Sequence, residues 1–246
     1  ASTALPTLAD SIRWFVARTA AGRDQLAARI VTLPEAAAAR ALRVFAFALE
    51  TEAGLKMPAA WPQVAARFAT FSDPAVRGAY EQLSALFGDK TVLVAIRARL
   101  ADTATPLAER RRALDLLKRA GDTESTAVLV RLLADKDLRS TVIPLLATAA
   151  DAPTAAAGLI AQFPSLNPAD RNAALAALTS RPLLALPLLR AVESGSFEKK
   201  SLTALHARQL RSLKNAEVTT LLDRVWGKTT ESSSNMKATD ARLRST

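Results

Sequence analysis

The only histidine of the chain, His206, is the first residue to consider for chemistry, because imidazole serves both as general base and as metal ligand. The chain contains one histidine and no cysteine. A transition-metal site would therefore need carboxylates beside His206, and a hydrolytic triad would need a serine and an acid. No serine stands in a nucleophile-elbow context. Because His206 falls between Leu205 and Leu210 in a helical pattern, we predict a half-buried structural residue.

Phosphate-binding loops and haem-attachment motifs are also missing from the sequence. It contains neither G-x-x-x-x-G-K-[ST] nor G-x-G-x-x-G, and a C-x-x-C-H motif would need cysteine. The carboxylates Glu109, Asp115, Glu217 and Asp223 stand near arginines, and pairs four residues apart on a helix would explain them. We therefore predict no catalytic residues, no cofactor and no metal site, and expect that the protein is not an enzyme.

The charge of the chain indicates an acidic partner. Lysine and arginine number 33 against 23 aspartates and glutamates, which gives a net charge of +10. Such a balance attracts nucleic acid, anionic lipid or an acidic protein face. The basic residues are scattered, however, with the densest runs at Arg110–Arg112 and Lys199–Lys200, and this pattern is typical of solvated helix faces. No apolar stretch reaches the length of a membrane span, so none is predicted.

The elements that position these residues are predicted to be helices. Apolar residues recur at helical spacing in blocks of about 10–15 residues, separated by Pro, Asp, Asn, Gly or Ser. Asp73-Pro74 and Asn167-Pro168 each combine a capping residue with proline at the first helical position. Gly88-Asp89 and Gly121-Asp122 are predicted turns. Five helical hairpins result between residues 73 and 227, and the apolar face of the fifth includes Leu202, Leu205 and Leu210.

A repeat is the main feature of the sequence. A basic residue stands early in the first helix of each predicted hairpin, at a drifting interval of about 30 residues, which is typical of helical solenoids. Because one hairpin cannot bury both of its faces, neighbouring hairpins must stack. We therefore predict an all-α, right-handed α-solenoid of HEAT-like, armadillo-like hairpins. The basic residues of the repeat are Arg77, Arg111, Arg139, Arg171 and Lys200.

Three regions are predicted from the pattern. Residues 1–72 form divergent N-terminal hairpins, residues 73–227 form the HEAT-like repeats, and residues 228–246 form a polar linker or a truncated helix, so we expect the protein to continue beyond it. Most aromatic residues lie in the first region, where they either seal the end of the core or form an exposed docking face for another domain. They are Trp14, Phe15, Phe45, Phe47, Trp61, Phe68 and Phe71.

The segment from Leu205 to Leu213, the run Leu222-Asp-Arg-Val-Trp-Gly227 and the triplet Arg242-Leu-Arg244 resemble a known pattern. The pattern is similar to the helical-repeat region of the membrane-bound dehydrogenases of the Planctomycetes–Verrucomicrobia type. In that family a β-propeller precedes the HEAT-like segment and a c-type cytochrome domain follows it. The resemblance implies a periplasmic or otherwise extracytoplasmic location, a role as a spacer or scaffold, and redox residues outside this chain.

The function predicted from these observations is a non-catalytic interaction module within a larger multidomain, redox protein. Its partners would be the neighbouring propeller and cytochrome domains or an acidic protein or polysaccharide. The alternative is a HEAT-like protein that binds nucleic acid through a basic concave face. An enzyme on this scaffold would need a carboxylate beside an aromatic residue in the concave groove. The second helix of each hairpin would line that surface, and the predicted partner-binding residues are Arg97, Arg99, Arg131, Arg190 and Arg224.

Overall fold

The computed structural model describes residues 8–227, and every regular element in this range is a helix. The predicted all-α class is confirmed, while the predicted linker at residues 228–246 lies outside the described residues. Three short 3₁₀ turns, Leu132–Ala134, Phe163–Ser165 and Lys199–Ser201, lie among the helices. The α-helices of the described range are α1 Leu8–Ala17, α2 Ala20–Thr32, α3 Glu35–Ala48, α4 Trp61–Phe68, α5 Pro74–Leu86, α6 Lys90–Ala101, α7 Leu107–Ala120, α8 Thr126–Arg131, α9 Arg139–Leu146, α10 Ala152–Gln162, α11 Pro168–Leu178, α12 Pro182–Glu193, α13 Ala204–Ser212 and α14 Ala216–Trp226.

The helix boundaries follow the capping residues of the sequence. The carboxylate of Asp73 accepts the backbone N–H groups of Ala75 and Val76, and α5 begins at the next residue, Pro74. Asn167 caps α11 in the same way, by accepting the N–H of Asp170 at 2.9 Å. The turn predicted at Gly121 is also present: its φ of 63° is left-handed and ends α7, a conformation that glycine adopts without strain.

The helix contacts divide the chain into two compact units between Ser125 and Thr126. In the first unit α1, α3, α5 and α7 pack in a row, α2 packs on α4, and most helices that follow one another in sequence also touch. In the second unit α8, α10, α12 and α14 form a row, and α9 packs on α11. Each helix therefore packs mainly on its neighbours and next-but-one neighbours along the chain. The predicted boundary between residues 72 and 73 stays a prediction.

The core of the first unit is rich in aromatic side chains. Phe45, Trp61 and Phe68 are fully buried, and the rings of Phe45 and Phe87 both pack against Trp61. The indole N–H of Trp61 donates to the hydroxyl of Ser84 at 3.2 Å, which satisfies two polar groups inside the core. Three of the N-terminal aromatics are therefore core residues, while their predicted role in sealing the end of a solenoid stays a prediction.

The core of the second unit consists largely of leucine and alanine, and close helix packing makes up for their small volume. Gly158 of α10 shows how close: a Cβ at this position would lie 2.5 Å from a methyl group of Val130 in α8. Only glycine permits this approach. Next to it, Leu159 and Ala155 are fully buried.

The structure corrects the predicted fifth hairpin at two residues. Lys200 lies in the turn Lys199–Ser201 and not in the first helix, because α13 begins only at Ala204, where Thr203 caps it. Leu205 does not face the core, since 54% of it is exposed, while Leu202 and Leu210 are buried as predicted. The capping interaction fixes the rotation of the first turn of α13 and turns Leu205 outwards.

Candidate functional site

Two adjoining cavities form a groove along the odd-numbered helices of the first unit, which we call the α1–α5 groove. The first, of about 510 Å³, lies between α1 and α3, and the second, of about 360 Å³, is lined by α3, α5 and α7. They share Arg43 and Phe47 of α3, so they form one continuous surface. The lining that matters below consists of Asp10, Trp14, Phe15, Arg40, Arg43, Val44, Phe47, Glu50, Ala75, Gly78, Gln82 and Arg112.

Exposed aromatic side chains form the apolar part of this groove. Phe15 of α1 is 68% exposed and Phe47 of α3 is 67% exposed, more than any other large apolar residue described. Trp14 packs edge-to-face on Phe15 with ring centroids 5.0 Å apart, and the guanidinium of Arg18 lies over the Trp14 ring. Contiguous exposed apolar surface of this kind marks interaction sites in soluble proteins. The alternative interpretation of the N-terminal aromatics, a docking face, therefore fits Phe15 and Phe47.

The charged residues of the groove are mostly arginines. Asp10 is buried and forms ion pairs with Arg40 and, at 3.1 Å, with Arg13, so its charge is compensated within the protein. Arg43 and Arg112 are exposed, and no ion pair or side-chain hydrogen bond to either is seen among residues 8–227. Glu50, also in the lining, is the acidic residue at the surface of the second cavity. The accessible charge of the α1–α5 groove is therefore net positive.

On the wall contributed by α5 the exposed residues are Ala75 and Gly78, while the half-buried Gln82 donates from its amide to the carbonyl of Ala46. Gly78 lies in the interior of α5, where glycine costs about 0.5–1 kcal/mol relative to alanine. A Cβ at this position would meet no atom within 4 Å. The packing of the protein therefore does not require glycine here, in contrast to Gly158.

The residues predicted to bind a partner lie elsewhere, and four of the five form ion pairs within the protein. Their partner-binding role stays a prediction. Arg131, at the end of α8, is exposed. The ion pairs are Arg97 with Asp122 and Glu124, both at 2.8 Å, Arg99 with Glu81 at 2.5 Å, Arg190 with Glu217 at 2.8 Å and Arg224 with Glu193 at 3.2 Å. The last two pairs both connect α12 with α14.

A second group of arginines binds the carbonyl oxygens at the C-terminal ends of helices. The last carbonyls of a helix lack partners within it and carry the negative end of the helix dipole, so a guanidinium satisfies both needs. This use explains part of the basic charge without any external partner. The six arginines of this kind in the described range are Arg23 on Ala17 and Arg18, Arg67 on Ile30 and Val31, Arg110 on Leu100, Arg119 on Leu49, Arg139 on Leu133 and Ala134, and Arg171 on Phe163 and Pro164. Arg181 likewise binds the carbonyl of Ala149, which follows the end of α9.

His206 has a structural role at the start of α13. Its Nδ1 accepts the backbone N–H of Thr203 at 3.1 Å, while the Thr203 hydroxyl accepts the N–H of His206. Partial burial lowers the pKa of His206 below its ordinary value of 6.5. The residue is half-buried, as predicted, and the neutral imidazole is the form that can accept this bond.

The described part of the chain contains no group of three or more His, Cys, Asp or Glu side chains placed to hold a metal ion. No single helix among residues 8–227 is long and apolar enough to cross a bilayer, although α11 and α12 together have that length and composition, with a bend of 116° between them.

Sequence reasoning missed Arg43, Gly78 and Arg112 as surface residues of one groove. A glycine inside a helical pattern was the available signal for Gly78, because such a residue commonly has a packing or functional reason. No comparable signal exists for Arg43 and Arg112, which become neighbours only when α3, α5 and α7 pack side by side.

Comparison with known proteins gives no relative: no family model, no curated protein and no solved structure matches the chain.

Proposed function

We propose that this chain is a non-catalytic interaction module that binds a protein partner through the α1–α5 groove. The observation that carries the proposal is the pair Phe15 and Phe47, each about two-thirds exposed beside a cavity of about 510 Å³. Interfaces are enriched in aromatic residues and arginine at their energetic centres. The groove combines both types on a row of four packed helices, α1, α3, α5 and α7.

The proposed architecture is a right-handed α-solenoid of HEAT-like hairpins. Support comes from the rows within each unit, where α1, α3, α5 and α7, or α8, α10, α12 and α14, pack in sequence order. Hairpins that stack by translation produce such next-but-one contacts. In this arrangement the α1–α5 groove runs across the first helices of successive hairpins.

The proposed context is a larger, extracytoplasmic redox protein, in which the chain acts as scaffold between a propeller and a cytochrome domain. The support is the resemblance of residues 205–245 to the helical region of the membrane-bound dehydrogenases named above. The closing helix of that pattern corresponds to α14, which ends at Trp226 before Gly227. Either neighbouring domain, or an acidic envelope protein, would then occupy the groove.

Site-specific photo-crosslinking tests the interaction. The photoreactive amino acid p-benzoylphenylalanine replaces Phe47 in the full chain, and in a matched control it replaces Leu183 of α12, which is 59% exposed and lies outside the groove. We expect a light-dependent adduct with one protein from the source organism at position 47 and none at position 183. Equal labelling at both positions, or none at position 47, would contradict the proposal.

Nucleic-acid binding is the second candidate function, and the net charge of +10 together with the exposed Arg43 and Arg112 favours it. Titration of a fluorescent DNA duplex across a salt series separates the two functions. If the groove binds protein, the duplex should associate only at low salt, because a few dispersed cations release few counterions. Tight binding near 0.15 M salt, with a log–log slope steeper than about −5, would instead support a phosphate-binding surface.

A further inference from the structure

We infer that the occupant of the α1–α5 groove is an acidic amphipathic helix of the partner protein. This inference rests on the proposed function and specifies the partner. Three independent features of the groove carry it, namely its apolar wall, its arginines and the glycine in α5.

The apolar wall suits the face of a single helix. Phe15, Val44 and Phe47 come from two packed helices and line one cavity, which adjoins the second cavity at Arg43 and Phe47. A helix with side chains is about 10–12 Å wide and offers apolar anchors at positions i, i+3 or i+4, and i+7. An amphipathic helix therefore covers these side chains with one face and leaves its other face in water. A nucleic acid would leave most of this apolar surface without a matching contact.

The charges select an acidic partner helix. Arg43 and Arg112 lie on the second cavity, where α3 and α7 line its two sides. Glutamate or aspartate residues beside the apolar stripe of the partner would pair with both arginines. A second copy of this chain fits poorly, because two copies of the groove would bring like charges together. The net charge of +10 also opposes self-association.

Gly78 marks the point of closest approach. Since a Cβ at this position would point into open space, the absence of a side chain matters only for something outside the protein. A flat wall of Ala75 and Gly78 lets the backbone of a partner helix come near α5, as small residues do wherever helices pack closely. The glycine therefore serves the complex and costs the free protein stability.

The test uses two labelled helical peptides of about 18 residues that differ only in charge. Both carry leucine at i, i+4, i+7 and i+11, and their flanking positions hold glutamate in one and lysine in the other. Fluorescence anisotropy with the full chain gives the affinities at about 0.1 M salt. We expect the glutamate peptide to bind at least about tenfold more tightly than the lysine peptide, since two ion pairs and two repulsions separate them.

Substitutions in the groove assign the binding to this surface. F47A should weaken the glutamate peptide about tenfold or more, as expected for an aromatic anchor. G78Q should weaken it to a similar extent, and because it replaces a helix-interior glycine it should leave the thermal melting temperature unchanged or higher. The control V94A changes an exposed residue of α6, 56% accessible and outside the groove, and should alter the affinity less than twofold.

Each other outcome overturns the inference. Equal affinities of the two peptides, no binding, or insensitivity to F47A and G78Q would do so. Displacement of the peptide by a DNA duplex or by vesicles of anionic lipid would also overturn it, if F47A and G78Q weaken the binding of that competitor more than they weaken the binding of the peptide. A photo-crosslinked protein without an acidic amphipathic helix would overturn the inference and leave the proposed function standing. If neither the crosslink nor the peptide binding is observed, the inference and the proposed function are both wrong.

Discussion

Arginines at one and the same repeat position differ in role, and the difference lies in what each guanidinium faces. Arg171 donates from Nη2 to the carbonyl of Pro164 at 2.6 Å and from Nε to that of Phe163 at 3.3 Å. Its cation also lies over the Phe163 ring. Arg77 occupies the same position, the fourth residue of a helix that begins with proline, and is exposed. At this repeat position, Arg171 of α11 thus caps the end of the preceding helical turn, whereas Arg77 of α5 is a solvated charge.

We expect R171A to lower the free energy of unfolding by about 1–2 kcal/mol, because two charge-assisted hydrogen bonds are lost at a partly solvated helix end. R171K should recover only part of this loss, since an ammonium group cannot reproduce the planar fork. Urea denaturation followed by circular dichroism measures both values.

R77A is the matched control for this comparison and should stay within about 0.5 kcal/mol of the parent protein. If R77A and R171A destabilised the protein equally, the capping role of Arg171 would be wrong.

The acid response of α13 depends on His206. Its pKa in the folded protein is lowered by burial, so the unfolded chain binds the proton more tightly. The stability contributed by neutral His206 should therefore be complete above pH 6.5, and should be lost as the pH falls from there through the pKa of the folded state. Protonation also removes the acceptor that Nδ1 offers to Thr203.

Thermal melts between pH 5 and pH 8 measure this effect, and NMR titration of the imidazole gives the pKa directly. H206Q keeps a side chain able to accept from the Thr203 backbone and should flatten the pH dependence between pH 5 and 7. An imidazole pKa at or above 6.5 would contradict the explanation.

At the scale of the helices, the two interior glycines Gly78 and Gly158 act in opposite ways. Gly158 is buried where α10 meets α8, and Gly78 is exposed on α5. Replacement of either by alanine gains helix propensity, but only at position 158 does the added methyl group meet another side chain. Sequence alone presents the two glycines alike.

G158A should lower the free energy of unfolding by about 1–3 kcal/mol, because a stiff β-branched neighbour cannot yield to the added methyl group. The double substitution G158A/V130A should recover part of this loss, and chemical denaturation of the four proteins measures the coupling. G78A is the contrasting control and should raise the stability by about 0.5–1 kcal/mol. Additive effects of G158A and V130A would show that the close contact is relieved in some other way.

Helix existence and helix starts could be read from the sequence because local chemistry decides them. Asp73 and Asn167 cap helices through hydrogen bonds to residues two or three positions further along the chain, and such bonds need no tertiary context. The orientation of Leu205 depended on the cap formed by Thr203 and His206, which shifts the helix start beyond Lys200. The exposure of Phe15 and Phe47 depends on which helices flank α1 and α3, and helical periodicity carries no information about that.

At the scale of the whole chain, each unit contains a buried apolar cluster of its own. Aromatic side chains around Trp61 dominate the first, and the second includes a cluster of Leu189, Leu210 and Leu222. Each unit also has its own row of packed helices. The groove lies wholly within the first unit, so its binding should not need residues after Ser125.

We therefore expect fragments 1–125 and 126–246, expressed separately, each to show a helical circular dichroism spectrum and a cooperative thermal transition, since each retains a core of its own. Fragment 1–125 should also bind the glutamate peptide within about threefold of the full chain. Aggregation or a non-cooperative melt of either fragment would show that its core is not self-sufficient.

The arginine caps have a consequence for alkaline conditions. A guanidinium group keeps its proton at every pH that a protein survives, because its charge is delocalised over the planar group. Helix ends held by lysine would lose their charge and one donor near pH 10, whereas the carbonyls bound by Arg67, Arg110, Arg139 and Arg171 stay satisfied. The whole sequence also contains no thiol that could ionise or oxidise. The contacts that hold these helix ends should therefore persist in alkaline solution.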